Sequence, residues 1–188
     1  MKVALIKPPE VHPYWYKRRP VLGISYLSSY LTKNGIPNKI FDAYYFSWSE
    51  EKTIKAVVEY KPDLIGISSM THEVVVAHRL ASLFRKKMPH VPTVLGGCHI
   101  TALPTETLEE FPSFTYGVYG EGEKTLLELV NYLEKGKKLK ISSIKGFVYR
   151  NKQGKVFVNK ARERLTSHEL DTLLIRLFIF IIKTGQNL

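Results

Sequence analysis

The sequence predicts a doubly wound α/β domain built on a parallel β-sheet. Three observations predict it. Short, unbroken apolar runs recur along the chain, as strands buried on both faces require. Amphipathic stretches of helical period separate them, and alternation at that spacing gives βαβ units. Hydrophobic residues are 44% and charged residues 24% of 188, the composition and size of one soluble globular domain.

Residues 3–6 (VALI) form the first predicted strand, which Pro8-Pro9 ends. Residues 10–20 (EVHPYWYKRRP) predict a long loop rich in aromatics and bases. Residues 22–33 place apolar side chains at 22, 24, 27, 30 and 31, a helical spacing, and Asn34-Gly35 stops that helix. Residues 38–43 predict strand two. Residues 49–60 predict a helix with Ser49 as N-cap and Glu50-Glu51 in its first turn. Strand three covers 64–68 (LIGIS), and the helix over 73–87 ends in three bases, as the macrodipole favours. Strand four covers 93–95 and closes on Gly96-Gly97. A short helix over 104–110 opens on Pro104. Strand five covers 115–119, and a helix over 123–133 follows. Five strands joined by right-handed crossovers predict the flavodoxin-like, Rossmann-type order 2-1-3-4-5. Beyond Gly136, residues 144–150 and 156–159 alternate around Asn151–Gly154, which predicts an antiparallel hairpin that extends or caps the sheet edge. The expected organisation is an α/β domain over 1–135, the hairpin extension over 136–160, and a linker and apolar tail over 161–188.

The net charge of +11 collects at 17–19, 85–87, 135–140 and 145–164. Such a surface attracts nucleic acid or anionic cofactors; solvated helix ends and loops account for the same residues, and no aromatic-interleaved RNA motif accompanies them. A single cysteine, Cys98, excludes an internal disulfide and any Cys-rich zinc or iron–sulfur site, and fits a reducing cytoplasm. The amino-terminal apolar run is too short for a signal peptide. The apolar patch at 173–182 contains Arg176 and falls short of the roughly 20 residues a spanning helix needs.

Ligands of open parallel sheets bind beyond the carboxyl ends of the strands. Those loops hold the candidate residues. Gly96 and Gly97 let backbone approach a flat ligand, or simply make a turn. Ser68, Ser69 and Thr71 offer hydroxyls to a ring nitrogen, or a serine caps the next helix. His72 and His99 stand as metal or amide contacts or as polar loop groups. Cys98 is a thiolate ligand or a small buried filler. Glu121 and Glu123 flank Gly122 at a helix start, where carboxylates satisfy free N–H groups or reach a ligand. Tyr14, Trp15 and Tyr16 beside Lys17–Arg19 form a loop suited to covering a ligand or docking a second domain.

Taken in order, these pieces carry a resemblance. LIGISSM at 64–70, a helix, and TVLGGCH at 93–99 resemble the Ser-x-Leu and Gly-Gly pair of cobalamin-binding domains, with Met70 at the Leu position. RPVLGISYLSSYLTKNG at 19–35 is similar to the first helix of the N-terminal domain of cobalamin-dependent radical SAM enzymes. The stretch 94–130, with Gly-Glu-Gly-Glu at 120–123, resembles the same family. The resemblance implies cobalamin as cofactor, with Ser68 hydrogen-bonding the dimethylbenzimidazole, Gly96-Gly97 packing against it, and the loops after strands one and three facing the corrin. Further contacts are expected from Ser69, Met70, Thr71, His72, Cys98, His99, Leu22, Gly23 and Glu121, and we add Leu22, Met70 and Ile100 as the cavity lining.

The sequence lacks the Asp-x-His-x-x-Gly string of the methionine synthase branch, so a lower axial histidine is not expected; His12 is a surface loop residue in this reading. It also lacks the Cys-x-x-x-Cys-x-x-Cys that holds [4Fe–4S] and S-adenosylmethionine in the family's catalytic domain. SHELDTL at 167–173 is similar to the family's lead-in to that domain, whereas 173–188 departs from it, so a fragment, truncated or frame-shifted product is expected. The resulting expectation is the cobalamin-binding module of a methyltransferase- or cyclase-type radical enzyme, not catalytic alone, whose partner is an absent or separate radical SAM domain. The alternatives are a basic nucleic-acid-binding domain or another nucleotide-cofactor domain of this fold. A signalling receiver is disfavoured by Lys7-Pro8-Pro9 where acidic residues belong, and no Gly-x-Gly-x-x-Gly or Walker A loop is present.

Overall fold

The computed structural model describes residues 1–9, 21–134, 140–171 and 173. Its centre is a sheet in the order β2-β1-β3-β4-β5-β6-β7. Five strands run parallel: β1 (Val3–Lys7), β2 (Asn38–Asp42), β3 (Leu64–Ser68), β4 (Thr93–Gly96) and β5 (Tyr116–Val118). β6 (Phe147–Arg150) and β7 (Val156–Val158) add antiparallel strands.

The expected five-stranded sheet is therefore corrected to a seven-stranded mixed one whose first five places follow the order 2-1-3-4-5. The physical reason lies in β5. It is only three residues long, and left at the edge it would present open backbone groups. The hairpin covers it, with Gly117 opposite Val148 and Val118 opposite Phe147. Phe147 and Val148 are both fully buried; being adjacent, they point to opposite faces and close both layers of core at once.

Helices α1 (Leu22–Lys33) and α6 (Glu123–Glu134) cover one face. Leu31, Leu126 and Leu129 there meet Val3, Leu5, Leu64 and Val94. The other face carries α2 (Glu50–Tyr60), α3 (Val74–Lys87), α4 (Cys98–Ala102) and α5 (Pro104–Glu110). Val57, Leu80, Phe84 and Leu108 pack there on Ala4, Ile6, Ile65 and Ile67. Ser49 caps α2 as expected, its Oγ accepting from the Lys52 amide at 3.1 Å.

Two local expectations change. The helix expected from residue 73 begins at Val74, after a 3-10 turn over Thr71–Glu73. The five-residue α4 was not expected, because one turn is too short to carry a periodic signal.

Candidate functional site at the carboxyl edge of the sheet

The site follows from one missing side chain. Alternation along β3 points Leu64, Gly66 and Ser68 toward α1 and α6, and Ile65 and Ile67 toward the other layer. At Gly66 nothing projects. A Cβ there would meet Leu5 Cδ2 at 3.2 Å and Val94 Cγ1 at 3.7 Å. The space left between sheet and helices is a slot of about 240 Å³. Ile24, Leu27, Val118 and Leu126 wall it, and its mouth is formed by Ser68, Gly96, Gly97 and residues 120–123.

The mouth is held together from three strands. Ser68 stands opposite Gly96 in the β3–β4 register. The Ser69 amide donates to the Gly96 carbonyl at 3.0 Å, and the His99 amide to the Ser69 carbonyl at 3.4 Å. Gly97 has φ +100° and ψ −169°, a conformation nearly confined to glycine. A Cβ on it would sit 2.5 Å from the Ser69 carbonyl oxygen and 3.0 Å from Ser68 Oγ. Thr101, which sequence reasoning missed, ties the next loop in. Its hydroxyl donates to the Gly97 carbonyl at 2.8 Å and accepts from the Gly120 amide at 3.0 Å.

The structure thus brings Ser68, Gly96, Gly97, Gly23 and Glu121 to one slot. Ser69 lies beneath its mouth, 1% exposed, with an Oγ that has no hydrogen-bond partner among the described residues. Neither serine caps the following helix. Glu73 instead ties the 3-10 turn before it, its Oε2 accepting from the Met70 amide at 2.8 Å. Leu22 and Met70 do not line the slot; they are 54% and 48% exposed on the same carboxyl edge. Ile100 is corrected outright. It lies buried in the opposite layer, because α4 returns across the α5 face of the sheet. Cys98 is exposed, so the buried-filler reading is corrected too: as the first residue of α4 it points away from the core. His99 is buried, with its ring 6.2 Å from Phe111 and Nδ1 3.4 Å from Thr71 Oγ1. His72 is exposed, with Nε2 3.7 Å from Glu73 Oε1. His12 and residues 14–19 lie outside the described residues.

The carboxylates before and at the start of α6 behave differently from each other. Glu121 Oε2 accepts from the Leu165 amide at 2.5 Å, so it anchors the chain beyond the hairpin rather than the helix start. Glu123 is 7% exposed and lines the slot, and its Oε2 has no partner among the described residues. Burial pushes its carboxyl pKa up, its own backbone N–H opposes that, and the Glu121 charge adds to the rise.

A second group at this edge was not legible in the sequence. Lys7 Nζ lies 2.5 Å from both carboxylate oxygens of Glu73, and both residues are buried. Asp42, paired with Lys7 across β1–β2, is buried beside them and accepts from the Tyr45 amide at 2.9 Å. Burial raises its pKa, against lowering by the Tyr45 and Val21 amides and by Lys7. Among the described residues no cluster of His, Cys, Asp and Glu suits a metal ion, and no helix is long and apolar enough to cross a membrane.

A mixed sheet with a parallel core, and an apolar slot floored by Gly66 at the carboxyl edge of that core, defines an α/β domain of the flavodoxin-like type, whose ligands bind at that edge. The family model of the B12 binding domain matches residues 17–130. The chain belongs to that family. It is 31% identical over 144 residues to the anaerobic magnesium-protoporphyrin IX monomethyl ester cyclase of Rubrivivax gelatinosus, covering 76% of this chain and 26% of that protein. It is 33% identical over 159 residues to an uncharacterized methyltransferase of Pyrococcus horikoshii, covering 83% and 34%. The cobalamin-dependent S-adenosylmethionine radical enzyme OxsB, solved with aqua-cobalamin and S-adenosylmethionine bound, superposes with a TM-score of 0.76 at 25% identity, over 87% of this chain and 22% of that one. The chain spans about a quarter to a third of the length of these curated relatives.

Proposed function

We propose that this chain holds cobalamin with its nucleotide tail threaded into the slot and its corrin across the exposed loops of the carboxyl edge, as the cofactor module of a radical SAM methyltransferase or cyclase. The observation that carries the reading is the floor at Gly66, where only the lack of a Cβ leaves room. The group fits the residues present. At about 240 Å³ the slot is smaller than the ~300–1,000 Å³ of a site for a whole drug-sized molecule, so it suits one flat bicyclic base and excludes a macrocycle. Its walls are apolar, as an aromatic ring prefers. Ser68 at the mouth supplies a hydroxyl for a ring nitrogen, and the Gly96-Gly97 backbone gives a flat surface beside it.

Outside the slot, Leu22 at the start of α1 and Met70 after β3 are large apolar side chains left exposed, a surface that a corrin would cover. Bound cobalamin would supply a cobalt centre able to carry a methyl group. The chain's own residues bind and orient it, while the [4Fe–4S] cluster and S-adenosylmethionine need cysteines this chain does not have. Residues 161–188 are read as a linker, similar at 167–173 to the family's lead-in to that domain, followed by an apolar tail over 173–188 that departs from it.

The test is to mix the purified chain with hydroxocobalamin, desalt it, and record the visible spectrum. Stoichiometric retention with a shifted corrin band is expected; a colourless protein after desalting refutes the reading. The basic alternative makes a different forecast, retention of RNA that falls steeply with added salt.

A further inference from the structure

Glu123 is the observation this function does not absorb. Its side chain is buried at the first residue of a twelve-residue helix, it borders the slot, and one carboxylate oxygen meets no donor among the described residues. A buried acceptor without a partner is costly, and among the described residues no salt bridge reaches Glu123 to offset the charge. A ligand in the slot is what can satisfy it. A phosphate there would be repelled by the carboxylate and by Glu121 beside it, whereas a hydroxyl donates to it directly.

We infer that Glu123 is a ligand-reading residue, which accepts a hydrogen bond from a sugar hydroxyl of the nucleotide tail and so selects corrinoids that carry a ribose-linked base. This rests on the proposed function and deepens it, by naming what the slot recognises. The carboxylate answers a donor, and the apolar walls answer the base. Together they distinguish cobalamin from cobinamide, which has the same corrin but neither ribose nor base.

The experiment titrates hydroxocobalamin and cobinamide into wild type, Glu123→Gln and Glu123→Leu, following the corrin spectrum, with far-UV circular dichroism as the check on folding. Wild type is expected to bind cobalamin more tightly than cobinamide. Glu123→Leu should lose about tenfold or more in cobalamin affinity, the worth of a hydrogen bond to a charged group, with cobinamide affinity unchanged. Glu123→Gln keeps a carbonyl acceptor and should fall between the two. If wild type binds cobalamin and folded Glu123→Leu binds it equally well, the inference is overturned while the proposed function stands. Equal losses for cobalamin and cobinamide also overturn it, since the contact would then be to the corrin. If wild type binds no corrinoid, the proposed function fails, and the inference with it.

Discussion

Replacing Gly97 with alanine tests the mouth of the slot through a single methyl group. Two costs add. The backbone at φ +100° and ψ −169° lies where only glycine rests easily, and holding another residue there costs of order 1–3 kcal/mol. The new Cβ would also lie 2.5 Å from the Ser69 carbonyl oxygen and 2.9 Å from its amide nitrogen. Those atoms are backbone, fixed by the Ser69–Gly96 and His99–Ser69 hydrogen bonds, so they cannot swing aside as a side-chain tip would. Overpacking of this kind costs a further ~1–3 kcal/mol. The total, about 2–6 kcal/mol, is a large share of the ~5–15 kcal/mol that holds a domain folded. Urea denaturation followed by circular dichroism reads it as a lowered midpoint at unchanged slope. Gly120→Ala is the control. Its φ is +71°, but nothing lies within 4 Å of its missing Cβ, so it should cost only about 1 kcal/mol. If Gly97→Ala proves no more destabilising than Gly120→Ala, the account of the mouth is wrong.

Two further outcomes follow from the buried charges. Lys7→Met leaves the Glu73 carboxylate buried without its cation, and should cost about 3–5 kcal/mol; Lys7→Met with Glu73→Gln should recover much of that, and a double variant as unstable as the single would contradict the ion-pair account. The raised pKa of Glu123 makes stability depend on pH in a definite sense. The native state holds that proton more tightly than the unfolded chain, so the contribution is fully present below the ordinary value of 4.5 and is lost as pH rises through the higher native one. Glu123→Gln should therefore gain on wild type in denaturation midpoint as pH is raised; a constant gap across pH would refute it. Asp42, also raised, leaves both proteins a residual slope of the same sign.

What the sequence carried and what it hid differ in range. The bounds of α1 and β3 were legible to the residue, since local periodicity and a following Asn-Gly or polar break determine them. The pairing of the hairpin with β5 was left as one of two choices, because it depends on an unprotected edge thirty residues away. Ser68 and Gly96-Gly97 could be placed at a common edge from the βα order alone. The Lys7–Glu73 pair could not: its partners are 66 residues apart, and each has an ordinary local role, as a strand-end base and a first-turn acid. Glu123 was read as a helix-start carboxylate for the same reason; only its burial and its unmatched oxygen separate it from Glu121. Cys98 and Ile100 were misplaced together, because a one-turn helix decides which of its residues turns inward.

The most direct measurement compares how much more tightly the chain binds cobalamin than cobinamide, before and after Gly66→Val fills the floor of the slot. A Cβ at 66 already presses on Leu5 Cδ2, and two more methyl groups enter the space intended for the base. The account predicts a clear preference for cobalamin in wild type and its disappearance in the variant, with cobinamide affinity retained. An undiminished preference in a folded Gly66→Val protein would place the tail somewhere else and contradict the account.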